Sequence, residues 1–303
     1  MTEPVIEVRD LRKSYRDVEA LKGIDLTVNR GEVFCLLGPN GAGKTTAIEV
    51  LEGHRSYASG EVRVLGFDPA RGGPEFRSRI GIVLQQAGVE RFLTVEEVLE
   101  LFRGYYENPR PLDELLRIVG LEDKRKSLVR RLSGGQVRRL DTALALAGDP
   151  ELLFLDEPTS GFDPAARRGA WEMIAGLRDL GKTILLTTHY MDEAERLSDR
   201  LAVIAAGRIV AEGTVESLRE NMPGTVISFR RPDRDLPEGI CESPSVNDGL
   251  VTIDTDEPTK TLHYLTSWAS TSGIDLADLK VVPTSLEDIY LRLVEPEQTA
   301  SDN

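Results

Sequence analysis

One stretch of the sequence has the residue types of a loop that wraps a phosphate group. Its glycines let the backbone curl so that several N–H groups point at one anion, and a helix predicted to follow directs its positive end there. Lys44 adds a charge for the β- and γ-phosphates of a nucleotide, and the Thr45 hydroxyl is a ligand for Mg²⁺. The stretch fits G-x-x-x-x-G-K-[ST] and comprises Gly38, Pro39, Asn40, Gly41, Ala42, Gly43, Lys44 and Thr45, with Thr46 included in the predicted nucleotide site.

Two adjacent carboxylates follow a second apolar stretch. Asp156 and Glu157 come directly after Leu152–Leu155, and a parallel strand delivers its C-terminal residues to the crevice where ligands bind. There Asp156 would hold Mg²⁺ and Glu157 would act as general base on an attacking water. Taken alone, an apolar strand followed by Asp-Glu is more often a strand that leaves the core, so the interpretation depends on the phosphate loop.

A second glycine-rich segment begins a predicted helix. Ser133 and Gln136 fit the S-x-x-Q capping box, and Gly134 and Gly135 leave backbone amides uncovered at that helix end. A capped helix alone would need no further explanation, but one nucleotide occupies only one phosphate loop. The apolar positions that follow at helical spacing predict one buried face and are Val137, Leu140, Leu144 and Ala147.

The elements that must position these residues alternate short apolar strands with longer amphipathic stretches over about 220 residues. This pattern predicts a parallel sheet covered by helices. The predicted core strands are Val33–Leu37, Arg79–Leu84, Leu152–Leu155, Thr183–Thr187 and Leu201–Ala205. A more antiparallel, half-exposed sheet is predicted from Val5–Val8, Ile24–Val28 and Val62–Leu65.

A Pro-Gly pair at residues 223–224 predicts a domain boundary, which gives domains of residues 1–223 and 224–303. The second is acidic, with 15 acidic and 6 basic residues. It is predicted to be a small α+β unit with strands Thr225–Phe229, Leu250–Ile253 and Lys280–Val282 and helices Lys260–Ser270 and Ser285–Leu293, before a frayed tail at Glu295–Asn303.

Composition narrows the class of protein. The 303 residues carry a formal net charge of −14 and are 40% hydrophobic, which is typical of about two globular domains and argues against binding nucleic acid by bulk electrostatics. The apolar run Leu201–Ala206 is too short to span a bilayer, so no membrane insertion is expected. Cys35 and Cys241 lack zinc-site spacing, and the N-terminus lacks an export signal, so we expect a cytoplasmic chain.

The segment Leu132–Gln136 reads LSGGQ and, together with the phosphate loop and the Asp-Glu strand end, resembles the ATP-binding subunits of ABC transporters over about Val5–Gly213. The resemblance implies an α/β P-loop NTPase with a mostly parallel core sheet, an antiparallel β subdomain and a helical subdomain. It also implies ATP and Mg²⁺ as ligands. In that family two copies pack head to tail, so Ser133–Gln136, the signature segment, would serve the γ-phosphate held by the partner.

Further site residues follow only from the resemblance. Tyr15 matches an aromatic residue that stacks on adenine, and Gln85 matches a glutamine that reaches Mg²⁺ and the attacking water, although Gln86 leaves the register open. Asp163 matches a residue of the loop at the dimer interface, and His189 matches a histidine that contacts the γ-phosphate as part of the catalytic set. The sequence departs from the family at Phe162, where leucine is commoner.

Within the family, residues 138–141 and 157–164 are most similar to the ATPases of ABC-2-type exporters, including drug- and antibiotic-resistance systems. The Ser-Leu-Glu-Asp stretch at 285–288 is similar to the end of an accessory domain found in that group. This implies separate integral-membrane permease subunits, a dimer with a second copy or a paralogous ATPase, and a location at the cytoplasmic membrane face.

Three alternatives remain at the sequence level. One is an ABC ATPase without a transport role, although no long heptad region lies between Gly60 and Ser133. Another is a different P-loop enzyme such as a small-molecule kinase, which would leave Leu132–Gln136 without a role. The third is a protein that binds but does not hydrolyse ATP, which the presence of Glu157 and His189 disfavours.

Overall fold

The computed structural model describes residues 3–83, 88, 90–220, 224–232, 236–237, 244–247 and 249–291. The chain divides into two compact units, Met1–Thr214 and Val215–Asn303. The short helix Val215–Glu220 thus belongs to the second unit, whereas the Pro-Gly pair places the boundary after that helix. Among the described residues no helix is both long and apolar enough to cross a membrane.

The strands, in chain order, are β1 (Pro4–Tyr15), β2 (Val18–Asn29), β3 (Val33–Leu37), β4 (Ser59–Val64), β5 (Ile80–Val83), β6 (Leu152–Asp156), β7 (Thr183–Thr188), β8 (Arg200–Ala205), β9 (Arg208–Gly213), β10 (Thr225–Arg230), β11 (Ser245–Asn247), β12 (Leu250–Thr255) and β13 (Lys280–Pro283). The α-helices are α1 (Lys44–Leu51), α2 (Pro74–Arg79), α3 (Val95–Arg103), α4 (Leu112–Val119), α5 (Gly134–Ala145), α6 (Pro164–Asp179), α7 (Met191–Leu197), α8 (Val215–Glu220) and α9 (Pro258–Ser272).

The core sheet of the first unit has the strand order β5-β6-β7-β3-β8-β9. The first five strands are parallel, and β9 runs antiparallel to β8. Every residue of β3, β6 and β7 is buried, as predicted for strands covered on both faces. Because the strands are parallel, the C-terminal ends of β3, β6 and β7 lie at one edge, where Asp156 pairs with Thr187 and Leu37 with Thr188.

The predicted antiparallel sheet is also present, with the order β2-β1-β4. Its apolar side chains, such as Leu26 and Val64, share one buried core with Ile48 of α1 and with Phe34 and Phe154 of the core sheet. Burial of α1 on this side fixes its first turn close to the end of β3, which is where the phosphate loop lies.

Helix α5 is covered on more than one side, because it packs against α3, α4, α6 and β5. The prediction of a single apolar face was therefore too narrow. Leu140 and Leu144 are buried as expected, but Val137 is only half-buried, whereas Arg138 and Asp141 are buried.

The second unit contains a four-stranded antiparallel sheet in the order β11-β12-β10-β13. Helix α9 covers it, and the small core is formed by Ile227, Phe229, Val251, Ile253 and Leu265. A further helix is described over residues 286–291, and Ser285 caps it by accepting the Asp288 N–H at 3.1 Å. This is the predicted α+β unit, with the short strand β11 in addition; the predicted tail lies outside the described residues.

Candidate functional site

The phosphate loop connects the end of β3 to the start of α1 and is pressed against two neighbouring strands. Gly38 donates its N–H to the Thr188 carbonyl oxygen at 3.2 Å, and Gly43 begins α1 in the left-handed conformation with φ of 109°. A Cβ atom at Gly38 would lie 2.3 Å from the Ile204 carbonyl oxygen, and one at Gly43 would lie 2.8 Å from that of Ala20. Glycine is required at both positions for steric reasons.

Lys44 is buried within the curl of this loop. Its Nζ donates to the carbonyl oxygens of Gly38 at 2.8 Å and Pro39 at 3.1 Å, and it lies 3.4 Å from Oε1 of Glu157. Only 5% of Lys44 is exposed. The ammonium group is therefore held inside the loop and next to the Glu157 carboxylate.

The side chains of Thr45 and Asp156 are hydrogen-bonded at the end of β6. The Thr45 hydroxyl donates to Oδ2 of Asp156 at 3.3 Å, while the Thr187 hydroxyl donates to Oδ1. A hydroxyl and a carboxylate oxygen beside a phosphate-binding loop are the donor set that Mg²⁺ prefers. These residues therefore fit a magnesium ion bound at the loop.

Glu157 has an unusual backbone conformation for a residue other than glycine, with φ of +45°. Its N–H donates to Thr187, with the carbonyl oxygen at 3.2 Å and the hydroxyl oxygen at 3.1 Å. Its Oε1 lies between two cationic or polar groups, 3.4 Å from Nζ of Lys44 and 3.3 Å from Nδ1 of His189. The carboxylate thus points to the loop and to His189 together.

His189 follows β7 and lies at the same sheet edge. Its Nδ1 is buried without a hydrogen-bond partner among the described residues, although Glu157 is close. The ring packs against Tyr190 with a centroid separation of 4.0 Å, and the Arg167 guanidinium carbon lies 4.1 Å from the Tyr190 ring centre. This packing holds the imidazole next to the loop.

The signature segment forms the predicted capping box. The Ser133 hydroxyl accepts the Gln136 N–H at 3.3 Å, and Oε1 of Gln136 accepts the Ser133 N–H at 3.0 Å. Because the Ser133 oxygen accepts a hydrogen bond, its own proton is available to an external acceptor. Within the described part of the chain, no hydrogen bond or ion pair connects residues 133–136 to the phosphate loop, Glu157 or His189.

The remaining predicted residues are more dispersed. Tyr15 lies at the end of β1 with 38% of its surface exposed, and Lys13 and Arg55 approach its ring. Asp163 caps α6 by accepting the N–H groups of residues 165 and 166 at 2.9 Å. Gln85 and its neighbour at position 86 lie outside the described residues.

Sequence reasoning missed three buried polar residues around the site. Thr187 binds both Asp156 and Glu157, and Arg138 donates to the carbonyl oxygens of Asp156 at 2.9 Å and Pro158 at 3.3 Å. Glu193 is fully buried and accepts hydrogen bonds from Thr159 and Trp171 at 2.8 and 3.1 Å. The only sequence signal for them is a polar residue at a position whose neighbours predict burial.

A groove of about 620 Å³ is lined by two buried carboxyl groups, those of Glu52 and Asp141. Burial, followed by the nearby charges of Asp156 and Glu49, raises the pKa of Glu52 to about 8. Burial also raises the pKa of Asp141 to about 6, while Arg138 opposes that shift. The groove walls include the apolar side chain of Phe76.

Comparison with known families and relatives decides the class of protein. The ABC transporter family matches residues 21–160. A second family, described as the C-terminal domain of proteins like the ABC transporter domain-containing protein, matches residues 225–285. A daunorubicin resistance ATP-binding protein of Streptomyces coeruleorubidus is 36% identical over 317 residues, which cover 100% of this chain and 99% of the relative. The chain is an ATP-binding subunit of the ABC transporter family.

Other relatives and solved structures agree with this ABC assignment. Nod factor export ATP-binding protein I of Cupriavidus pinatubonensis is 38% identical over 303 residues, which cover 97% of this chain and 91% of the relative. A solved ATP-binding subunit of an ABC transporter superposes with a TM-score of 0.64 at 31% identity, over 71% of this chain and 92% of that one. The resemblance seen in the sequence is confirmed, and the small-molecule kinase alternative is wrong.

A solved dimer is also similar to this ABC subunit. It is an ATP-binding cassette in a post-hydrolysis state with ADP and phosphate bound, and it matches with a TM-score of 0.62 at 25% identity. The match covers 69% of this chain and 98% of the cassette. The matching part of the chain therefore has the fold of a cassette that has been solved as a dimer.

Proposed function

We propose that the chain hydrolyses ATP as a head-to-tail dimer and thereby drives an exporter whose membrane-spanning part is formed by separate permease subunits. The observation that carries the proposal is the convergence of Lys44, Asp156, Glu157 and His189 on one phosphate loop. Among the described residues, the segment that begins with Ser133 has no hydrogen bond or ion pair to that loop. Each chain would therefore supply the phosphate loop of one ATP site and the signature segment of the other.

The phosphates of ATP would be held by the loop amides and by Lys44. Thr45 and Asp156 would hold Mg²⁺, with Gln85 proposed as a further ligand, and the exposed Tyr15 ring would stack on adenine. Bound Mg²⁺ would offset the negative charge of the β- and γ-phosphates. The fit of Thr45 and Asp156 supports this arrangement, since both present oxygen atoms at the start of α1.

Hydrolysis requires a base beside the γ-phosphate, and Glu157 has the position for it. A water oxygen would attack the γ-phosphorus, the bond to the β–γ bridging oxygen would break, and Glu157 would accept the proton of the water. His189 would contact the γ-phosphate and orient the Glu157 carboxylate, whose Oε1 it approaches at 3.3 Å. Lys44 and the loop amides would stabilise the charge that develops on the transferred group.

The signature segment would complete the site of the partner copy. The Ser133 hydroxyl and the amides of Gly134 and Gly135 in the first turn of α5 can donate to a γ-phosphate. Gln136 would hold the cap, and Asp163 would line the interface. ATP would thus make contacts in the closed dimer that it lacks in separate subunits, and such a difference is what shifts the equilibrium toward the dimer. Hydrolysis removes that bridge.

The export role draws on the relatives, which are named for daunorubicin resistance and Nod factor export. We assign this chain to the efflux of a drug, an antibiotic or a lipid-like molecule, at the cytoplasmic face of a membrane through its permease. In this assignment, residues 1–223 form the ATPase domain, and residues 224–303 form an acidic accessory domain.

A transport measurement tests this function. Cells that express the chain with a candidate permease subunit should accumulate less daunorubicin than cells that express the Glu157→Gln variant with the same subunit. Equal accumulation in both, with both proteins present in the membrane fraction, would contradict the export of daunorubicin by this chain. A purified chain whose ATPase rate stays proportional to protein concentration down to dilutions at which sedimentation shows only monomer would contradict the dimer.

A further inference from the structure

Helix α5 links the two kinds of anion site in this chain. Its first residues, with Ser133 as the cap, form the signature segment. One turn further on, the buried Arg138 points to the end of β6, where its Nη2 donates to the Asp156 carbonyl oxygen at 2.9 Å and its Nε to the Pro158 carbonyl oxygen at 3.3 Å. These two carbonyl groups flank Glu157 in the sequence.

Glu157 needs such support because its backbone is strained. A φ of +45° is uncommon for a residue with a side chain and persists only where surrounding contacts hold it. Thr187 holds the Glu157 N–H from the neighbouring strand. From a helix that lies outside the sheet, Arg138 binds the carbonyl oxygen of the peptide group before Glu157 and that of the peptide group after Pro158.

We propose that Arg138 is a positioning residue that couples the nucleotide held by the partner copy to the Glu157 of its own chain. The inference rests on the proposed head-to-tail dimer. Contacts between Ser133 and the partner's γ-phosphate set the position of α5. Because Arg138 lies on the first turns of that helix, the position of α5 also sets the positions of the Asp156 and Pro158 carbonyl groups, and hence that of Glu157. Each subunit then hydrolyses its ATP when its signature segment is seated on the other.

The choice of side chain matters for this role. A guanidinium is rigid and planar and has several N–H donors, so it can bind two carbonyl oxygens in a fixed geometry. The ammonium group of a lysine is a single charge on a flexible chain. A guanidinium is also costly to bury, and two hydrogen bonds of Arg138 go to backbone carbonyls at the end of β6. A methionine would fill the same volume without any donor.

The first test separates turnover from binding. Arg138→Met should lower kcat by at least about 30-fold, because a misplaced base loses part of the roughly 100- to 10,000-fold that general base catalysis contributes. KM for ATP should change by less than about threefold. In the Glu157→Gln background, the same substitution should leave ATP-dependent dimerisation unchanged in sedimentation. Arg138→Gln, whose amide can donate to one carbonyl, should recover part of kcat.

The matched control is Arg139→Met, since Arg139 is the next residue on α5 and its Nη1 donates to Val119 at the end of α4. This control should lower kcat by less than about threefold. If Arg138→Met retains kcat, or loses kcat and dimerisation together in the Glu157→Gln background, the inference is overturned while the proposed function stands. If the unaltered chain fails to dimerise with ATP, both are overturned.

Hydrogen exchange provides a second test, because it reports on the residues that follow β6 without requiring ATP hydrolysis. Binding of a non-hydrolysable ATP analogue should slow hydrogen exchange of the amides between Asp156 and Ser160 in the unaltered chain by about tenfold or more. Ser133→Arg, which blocks the contact to the partner's nucleotide, and Arg138→Met should each abolish this slowing. Slowing that persists in the Ser133→Arg protein would show that the subunit's own nucleotide is sufficient, and would overturn the coupling.

Discussion

The Nζ atom of Lys44 lies 3.4 Å from Oε1 of Glu157, although the two residues follow different strands of the core sheet. Lys44 therefore contacts both the loop that would receive the phosphates and the carboxylate that would activate water. A γ-phosphate on the loop would offer Lys44 a second anion and compete for its charge. Nucleotide binding and the position of Glu157 are thus physically linked.

Replacing Lys44 by methionine should lower the affinity for ATP by at least about 10-fold, because the charge-assisted hydrogen bonds to the phosphates are lost. Titration with a fluorescent ATP analogue measures this. Lys182→Met is a matched control, since Lys182 is also buried but donates to Asp149 and Pro150 away from the loop. Equal losses of affinity in both variants would indicate general destabilisation instead.

Glu157→Gln should lower the ATPase rate by at least about 100-fold, since an amide cannot accept the proton of the attacking water. ATP binding should persist, and a stable ATP-bound dimer should accumulate in size-exclusion chromatography. Glu151→Gln, at the other end of β6, alters a carboxylate paired with Arg30 and Arg79 and should keep the rate. A Glu157→Gln protein that turns over at the original rate would refute the assigned base.

Two inactive variants should complement each other if the site is shared between copies. Lys44→Met leaves the signature segment intact, and Ser133→Arg leaves the phosphate loop intact. A mixed dimer contains one complete ATP-binding site, so ATP-dependent dimerisation should return on mixing. Hydrolysis should stay low, because the subunit that holds ATP carries Ser133→Arg and cannot seat its own signature segment on the partner. If both halves of a site came from one chain, mixing would restore nothing.

Glu52→Gln should stabilise the first unit at high pH. The pKa of Glu52 in the folded protein is about 8, above its ordinary value. The contribution of Glu52 to the free energy of unfolding is therefore greatest below about pH 4.5 and is lost as pH rises through 8. The variant should therefore gain at most about 5 kcal/mol at pH 9 relative to pH 4.5. Thermal unfolding in EDTA measures it, so that no cation binds Asp156.

The exposed Glu61 provides the control for that experiment. Glu61→Gln should shift the unfolding temperature by the same small amount at every pH. A Glu52→Gln protein whose stability relative to the unaltered chain does not change between pH 4.5 and 9 would contradict the raised pKa. The groove that Glu52 lines would then be more hydrated than its burial indicates.

Local features of this protein were determined by the sequence itself. The phosphate loop, the Ser133 cap and the buried strands depend on neighbouring residues, because glycine conformations, capping hydrogen bonds and apolar runs act over a few positions. For the same reason the apolar run at 152–155 is sufficient to assign Asp156 and Glu157 to a strand end. Resemblance to the ABC family added Tyr15 and His189.

Tertiary structure alone decided which distant residues meet. Thr187 reaches Asp156 because β6 and β7 are parallel and in register, and Arg138 reaches the same strand end because α5 is buried on several sides. The strained backbone of Glu157 has no sequence signature, since it exists only where these contacts hold it. Such contacts depend on packing between segments far apart in the chain, which periodicity along the chain cannot encode.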